Sequence, residues 1–176
     1  DFVSAGNAGV IVRTAHELLP STPGADRAAL AAVYPTLRFH GAHRDPFALL
    51  LDVGASVHCS AANLVQFAVM GAAYARAITA NPDPRVAILS NTRSARDAPA
   101  PLRDADRALS AGNRPLSYLG LISADQIPVG DADVVVTDGF SGNIVIRTLE
   151  GVAETGEQLL TKARERFTWR LGVSML

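Results

Sequence analysis

Asn143 and Asp138 fall within the segment Thr137-Asp138-Gly139-Phe140-Ser141-Gly142-Asn143, which puts an amide, a carboxylate, a hydroxyl and two glycines into one short stretch. A side-chain amide can donate to an oxyanion as charge develops on it, and a carboxylate can orient a neighbour or receive a proton. The same two groups can equally satisfy the backbone of their own loop. A second stretch, Ser4-Ala5-Gly6-Asn7-Ala8-Gly9, consists of small residues and runs into Val10-Ile11-Val12-Arg13-Thr14-Ala15. At a helix start such a loop presents backbone N–H groups with no bulky side chain in the way, a seat for phosphate or carboxylate. Plain turns use the same residues. A third stretch, Asp52-Val53-Gly54-Ala55-Ser56-Val57-His58-Cys59-Ser60, places an acidic residue two positions before a glycine.

Other reactive side chains point to less. His58 and Cys59 are adjacent, and neighbours on an extended segment face opposite ways, so they make a poor nucleophile and base pair. His16, His40 and His43 lack metal-ligand spacing with carboxylates, and no metal site is expected.

Positioning these stretches requires a scaffold. Leu49-Leu50-Leu51-Asp52-Val53, Arg85-Val86-Ala87-Ile88-Leu89 and Ala132-Asp133-Val134-Val135-Val136 are short, nearly continuous apolar runs, the pattern of strands buried on both faces of a parallel sheet. Each is followed by a loop rich in Gly, Ser, Asn or Asp, and ligands of open parallel sheets gather at the carboxyl ends of strands. Ser60 caps a predicted helix over 61–78 that is apolar on nearly every side and is expected to be buried all round, within this domain or, alternatively, against a second copy or a further part of the protein. The stretches at 19–25 and 93–103 read as loops too short to link domains. Alternating strand and helix signals give one α/β domain over 1–176. From Glu150 onward Val152, Leu159, Leu160, Ala163, Phe167 and Leu171 recur opposite charged residues, an amphipathic helical segment over 150–176.

Bulk properties narrow the classes. A chain of 176 residues, 48% hydrophobic and 19% charged, supports a sizeable core and is not disordered. A net charge of -1 without a basic, aromatic-interleaved run gives no general attraction to nucleic acid. One cysteine, Cys59, excludes an intrachain disulfide and fits a reducing, cytoplasmic setting. The opening at Asp1-Phe2-Val3 and the apolar close at Ser174-Met175-Leu176 read as the ends of a piece of a longer protein.

The stretches share a further property. SAGN at 4–7 with Gly9, Arg27 followed by Ala29-Leu30 and Pro35-Thr36, LLDVGAS at 50–56, LVQFAVMGAAYA at 64–75, PRVAILS at 84–90 and ADVVVTDGFSGNIV at 132–145 resemble, in order, segments of the PlsX family of phosphate acyltransferases. DVGA and DVVVTDGFSGN are the specific ones. The resemblance implies a Rossmann-like three-layer α/β/α fold with a mostly parallel sheet, like that of isopropylmalate dehydrogenases and phosphotransacetylases, and a homodimer. It implies transfer of a fatty acyl group from acyl-carrier protein to inorganic phosphate, giving acyl phosphate for phospholipid synthesis, with no cofactor. Carried across by position, Asn143 and Asp138 are catalytic; Ser4, Gly6, Asn7, Gly9, Arg27, Asp52, Gly54, Gly139, Ser141 and Gly142 bind phosphate or the acyl group. Peripheral contact with the inner face of the membrane falls on 167–176, where Trp169 and Arg170 stand among bare apolar residues, a tip that reads equally well as dimer or core surface.

The chain departs from the family pattern after Leu89. Where the family presents paired glutamates and an active-site lysine, the sequence reads Ser90-Asn91-Thr92-Arg93-Ser94-Ala95-Arg96-Asp97-Ala98-Pro99. Two alternatives therefore stay open: a non-catalytic module that binds acyl groups or their carrier, and a phosphotransacetylase-like enzyme using coenzyme A thioesters.

Overall fold

A computed structural model describes residues 5–19, 25–38, 46–79, 81–112 and 115–173, giving backbone alone for Ala8 and 165–173. Its elements are α1 (Ala8–Leu18), β1 (Ala31–Pro35), β2 (Phe47–Leu51), α2 (Ala61–Ile78), β3 (Arg85–Leu89), α3 (Ala100–Ser110), β4 (Ser117–Ile122), α4 (Gln126–Val129), β5 (Val134–Val136) and α5 (Gly139–Val173). Residues 1–143 form one compact unit and 144–176 a second. Ser4, His40, His43 and 174–176 lie outside the described residues.

The sheet has the order β1-β2-β5-β3-β4. β2, β5, β3 and β4 run parallel, and β1 is an antiparallel edge strand on β2. The three expected apolar runs are its central strands. Their alternate residues show why the runs are continuous: Leu49, Leu51, Val86, Ile88, Val134 and Val136 join the cluster around α2, while Leu50, Ala87 and Val135 on the other face are fully buried as well. This is the α/β class that the alternation of elements predicts and the Rossmann-like, mostly parallel sheet that the resemblance implies.

α2 begins where Ser60 predicts. The Ser60 hydroxyl accepts from the Asn63 N–H at 3.2 Å while Asn63 Oδ1 accepts from the Ser60 N–H at 3.0 Å, a reciprocal capping box. The expectation that this domain by itself buries α2 all round is corrected. The sheet and α3 cover the face of Leu64, Phe67, Ala68, Gly71, Ala72 and Ala75, whereas Val69, Tyr74 and Ile78 on the far side are exposed. The loop expected over 93–103 ends earlier, at Pro99, because Ala100 and Pro101 open α3, where a proline's missing N–H is harmless.

In the second unit, taken by itself, the described residues form one helix. Thr148, Thr155 and Thr161 turn their hydroxyls back onto the carbonyls of Ile144, Gly151 and Glu157, and Val152, Leu159 and Leu160 are exposed. The side chains of 167–173, in the segment read as membrane-contacting, lie outside the described residues. Among the described residues no helix is long and apolar enough to cross a membrane.

Candidate functional site

β2 and β5 are neighbours, so the loops that leave them share one edge of the sheet. Pairing continues one step past the strands: the Asp52 N–H donates to Thr137 O at 3.1 Å and the Thr137 N–H to Leu51 O at 2.7 Å. Asp52 is fully buried, and its carboxylate is enclosed by backbone. Oδ1 accepts from the N–H groups of Leu30, Gly54 and Ala55 at 3.0, 3.0 and 2.9 Å, and Oδ2 from that of Ser56 at 2.7 Å. The loop is thus a nest of amides closed around an internal anion, the carboxylate standing where a bound anion would stand in an open nest. Gly54 permits the turn with φ of 145°, a conformation side-chain-bearing residues rarely adopt.

The stretch read as a loop over 137–143 is mostly helix: α5 starts at Gly139. Asp138, two residues past the end of β5, caps the helix, Oδ1 accepting from the Ser141 N–H at 2.8 Å and Oδ2 from the Ser141 hydroxyl at 2.9 Å. The two glycines allow this first turn to lie against the 52–56 loop. A Cβ on Gly139 would strike the Ser56 carbonyl and come within 2.7 Å of Asp52 Oδ2, and one on Gly142 would strike the Asp52 carbonyl. In place of a side chain, the Gly139 N–H donates to Ser56 Oγ at 3.1 Å. Asn143 follows on the exposed side, and its side-chain amide has no hydrogen-bond partner among the described residues.

Arg27 is held from below. Its Nη1 donates to the His58 carbonyl at 2.9 Å. Gln66 of α2 accepts from the Asp26 N–H at 3.1 Å and donates to the Arg27 carbonyl at 2.9 Å, gripping the segment on both sides. Sequence reasoning missed Gln66; its signal is a polar residue inside the apolar run Leu64 to Met70. Gln66→Ala is expected to release the Asp26 amide to hydrogen exchange and to lower stability by about 1 kcal/mol, the net value of an ordinary hydrogen bond, measured by urea unfolding.

Cys59 lies between these parts, its Sγ 3.1 Å from Ser56 Oγ. Burial pushes the thiol up from its ordinary value, the Ser56 hydrogen bond opposes this, and the Asp52 carboxylate adds to it. The Arg27 charge lowers it slightly and the Asp138 charge raises it slightly. A raised thiol is a poor nucleophile, in keeping with the weak case for a Cys-His pair.

Above the 52–56 loop lies an open cleft of about 240 Å³. Gly9, Val12, Arg13 and His16 of α1 form one wall, Arg27 and Ala28 another, and Gly54 and Ala55 the floor. Three of the residues expected to bind phosphate or acyl, Gly9, Arg27 and Gly54, therefore meet. Asn7 accepts from the Val10 N–H at 3.2 Å and caps α1. Gly6 is in the turn before it. Asp138, Gly139, Ser141, Gly142 and Asn143 do not line this cleft; they join it through the 52–56 loop, whose upper side is the cleft floor and whose lower side receives Gly139 and Gly142. Among the described residues no three His, Cys, Asp or Glu side chains cluster as metal ligands would.

The protein family described as "Fatty acid synthesis protein" matches residues 1–176 of this chain. The chain belongs to this family, the PlsX phosphate acyltransferases. The phosphate acyltransferase of Erythrobacter litoralis is 42% identical over 168 residues, covering 92% of this chain and 44% of that protein. That of Myxococcus xanthus is 40% identical over 94% of this chain and 45% of its own length, and that of Rhodospirillum rubrum 37% identical over 92% and 44%. The chain spans less than half the length of these curated relatives.

The PlsX resemblance breaks in the loop after β3, and its structure there is self-contained. Ser90 Oγ accepts from the Thr92 N–H at 3.2 Å, Thr92 Oγ1 from the Ser94 N–H at 3.1 Å, and the Asp97 N–H donates to the Ser94 carbonyl at 3.1 Å. Consecutive hydroxyl turns of this kind fold a loop without outside help. Arg93 and Arg96 are exposed. Asp125, in the loop after β4, is held below the ordinary carboxylate range by the Ser123 hydrogen bond first, with its own backbone N–H and the Arg93 charge adding.

Proposed function

We propose that this chain carries the anion-binding and acyl-activating part of a phosphate acyltransferase, which moves an acyl group from an acyl-carrier-protein thioester to inorganic phosphate. The observation that supports this most is the cleft in which Gly9, Arg27 and Gly54 meet from three parts of a chain of this family. In the proposed step a phosphate oxygen attacks the thioester carbonyl carbon, the new C–O bond forms, the C–S bond breaks, and the carrier leaves as its thiolate. Phosphate is itself the nucleophile, so the protein has to hold an anion and stabilise an oxyanion. Arg27 supplies charge to the phosphate. Asn143, whose amide is unengaged, donates to the oxyanion, and Asp138, with both oxygens on Ser141, fixes the helix start that carries Asn143. Gly6 and Asn7 shape the approach to α1, and Ser4, outside the described residues, is carried over from the resemblance alone. The resemblance also supports a product destined for phospholipid synthesis and a cytoplasmic homodimer meeting the membrane peripherally through 167–176.

Acyl hydroxamate is expected when full-length protein, long-chain acyl-carrier protein and phosphate react with hydroxylamine as trap, and no hydroxamate above a no-enzyme control sinks the reading. Replacing the carrier thioester with the coenzyme A thioester decides between donors. Asn143→Ala should lower turnover by about 10², the usual cost of one oxyanion donor, and an unchanged rate removes it from the mechanism. One observation favours a non-catalytic binding module instead: the cations of the loop after β3 are Arg93 and Arg96, and arginine gives up no proton at neutral pH.

A further inference from the structure

α1 faces the cleft with an unusual stripe. Gly9, Val12, Arg13 and His16 follow the i, i+3, i+4, i+7 pattern that places residues on one side of a helix, and on a helix laid against a protein body that side is ordinarily apolar. Here it carries an arginine and a histidine, while Val10 and Leu18 point to solvent, 63% and 75% exposed. Opposite stands Arg27, and no acidic residue lines the space. The nearest carboxylate under the floor, Asp52, is already surrounded by four amides. Arg13, His16 and Arg27 thus line one open space, Arg13 with its side chain 82% exposed and, among the described residues, paired only with Glu17.

We infer that Arg13 and His16 form the second wall of an anion subsite, gripping from the side of α1 a phosphate group that Arg27 holds from the other. Arg13 uses one N–H on Glu17 Oε1, at 3.0 Å, and the rest of its fork remains for a ligand. Glu17 is thus a competitor as well as a tether. A planar fork suits phosphate oxygens, and two forks on opposing walls suit a dianion. This deepens the proposed reaction, on which it rests, by naming the residues that hold its phosphate. The phosphate could be inorganic or an ester, and the cleft has room for either.

The test is calorimetric titration of the full-length protein with inorganic phosphate and, separately, with methyl phosphate. Saturable binding is expected, and the probe that binds more tightly identifies the source. Arg13→Ala should weaken it about 10-fold, the value of one charge-assisted hydrogen bond, and His16→Ala severalfold. Glu17→Gln should tighten it by freeing the fork, which a merely structural role for Arg13 would not produce. Arg107→Ala, an exposed charge on α3 paired with Asp104, should leave binding unchanged. Wild-type affinity in Arg13→Ala, or equal weakening in Arg107→Ala, overturns the subsite. If hydroxamate forms while Arg13→Ala binds phosphate normally, this inference fails and the acyltransferase reading stands; binding with the expected pattern but no hydroxamate gives the reverse.

Discussion

Asp52→Ala is expected to lower the free energy of unfolding by about 4 kcal/mol and to abolish anion binding in the cleft. Truncation leaves the N–H groups of Leu30, Gly54, Ala55 and Ser56 without their acceptor. The buried Ser56 donor costs about 1–3 kcal/mol when stranded, and the part-buried donors of Leu30, Gly54 and Ala55 cost less each because water can reach them as the loop relaxes. The damage reaches further than the loop itself, because the carbonyls of Asp52 and Ser56 are the surface on which Gly139 and Gly142 rest and Ser56 Oγ receives the Gly139 N–H. Loosening the nest therefore moves the floor of the cleft and the start of α5 together.

The isosteric change separates acceptor loss from charge loss. In Asp52→Asn one oxygen can still accept three amides in the Oδ1 position, but the new NH2 faces the Ser56 N–H, donor against donor. About half the cost of the alanine change is expected, near 2 kcal/mol. Urea unfolding measures both, and hydrogen exchange at Leu30, Gly54, Ala55 and Ser56 locates the loss: protection should vanish at all four in the alanine variant and chiefly at Ser56 in the asparagine variant. Equal costs for the two would mean that the negative charge, and not the geometry of acceptance, holds the loop.

How much of this was legible in the sequence depends on whether the signal is local. The central strands were, since burial on both faces leaves nothing polar inside Leu49 to Leu51 or Val134 to Val136, and Ser60 announced α2 because capping is settled within four residues. β1 and β4 were not: both are edge strands, β1 holding a proline and alternating in exposure, β4 interrupted by Gly120 at φ of 94°. The glycines of 137–143 were visible, but their reason was not. They read as a loop made for a ligand, whereas the structure uses Gly139 and Gly142 to bring a helix against the Asp52 and Ser56 carbonyls. Gln66 and Ser56 gain their meaning from partners tens of residues away, the backbone of Asp26 and Arg27 and the Gly139 N–H, which periodicity does not reveal.

At the opposite edge of the sheet, Asp133→Asn should cost about 3 kcal/mol at neutral pH, the low end of the range for breaking a buried ion pair. Asp133 sits at the foot of β5 and gathers three strands: its carbonyl accepts from the Leu49 N–H at 2.9 Å, and Oδ2 accepts from the Arg85 N–H at 2.7 Å and from Arg85 Nε at 3.2 Å. Arg38 donates to Oδ1 from Nη1 and to the Ala132 carbonyl from Nη2, with its side chain only 10% exposed. Removing the carboxylate charge leaves that guanidinium buried without a counter-ion. Burial by itself pushes Asp133 up, but the hydrogen bonds from Arg85 and Arg38 outweigh it and hold the carboxyl below the ordinary carboxylate range. The sign of the pH dependence follows. With the folded value below the unfolded one, the unfolded chain binds the extra proton between them, so the contribution is complete above about pH 4 and is lost as pH falls through the lower, folded value. The gap in unfolding free energy between wild type and Asp133→Asn should be widest at neutral pH, shrink on acidification below that point, and change little with salt, because partly buried pairs are weakly screened. Urea midpoints measured from pH 7 down to pH 3 check this, and two curves that stay parallel would show that Asp133 acts through shape and not through charge.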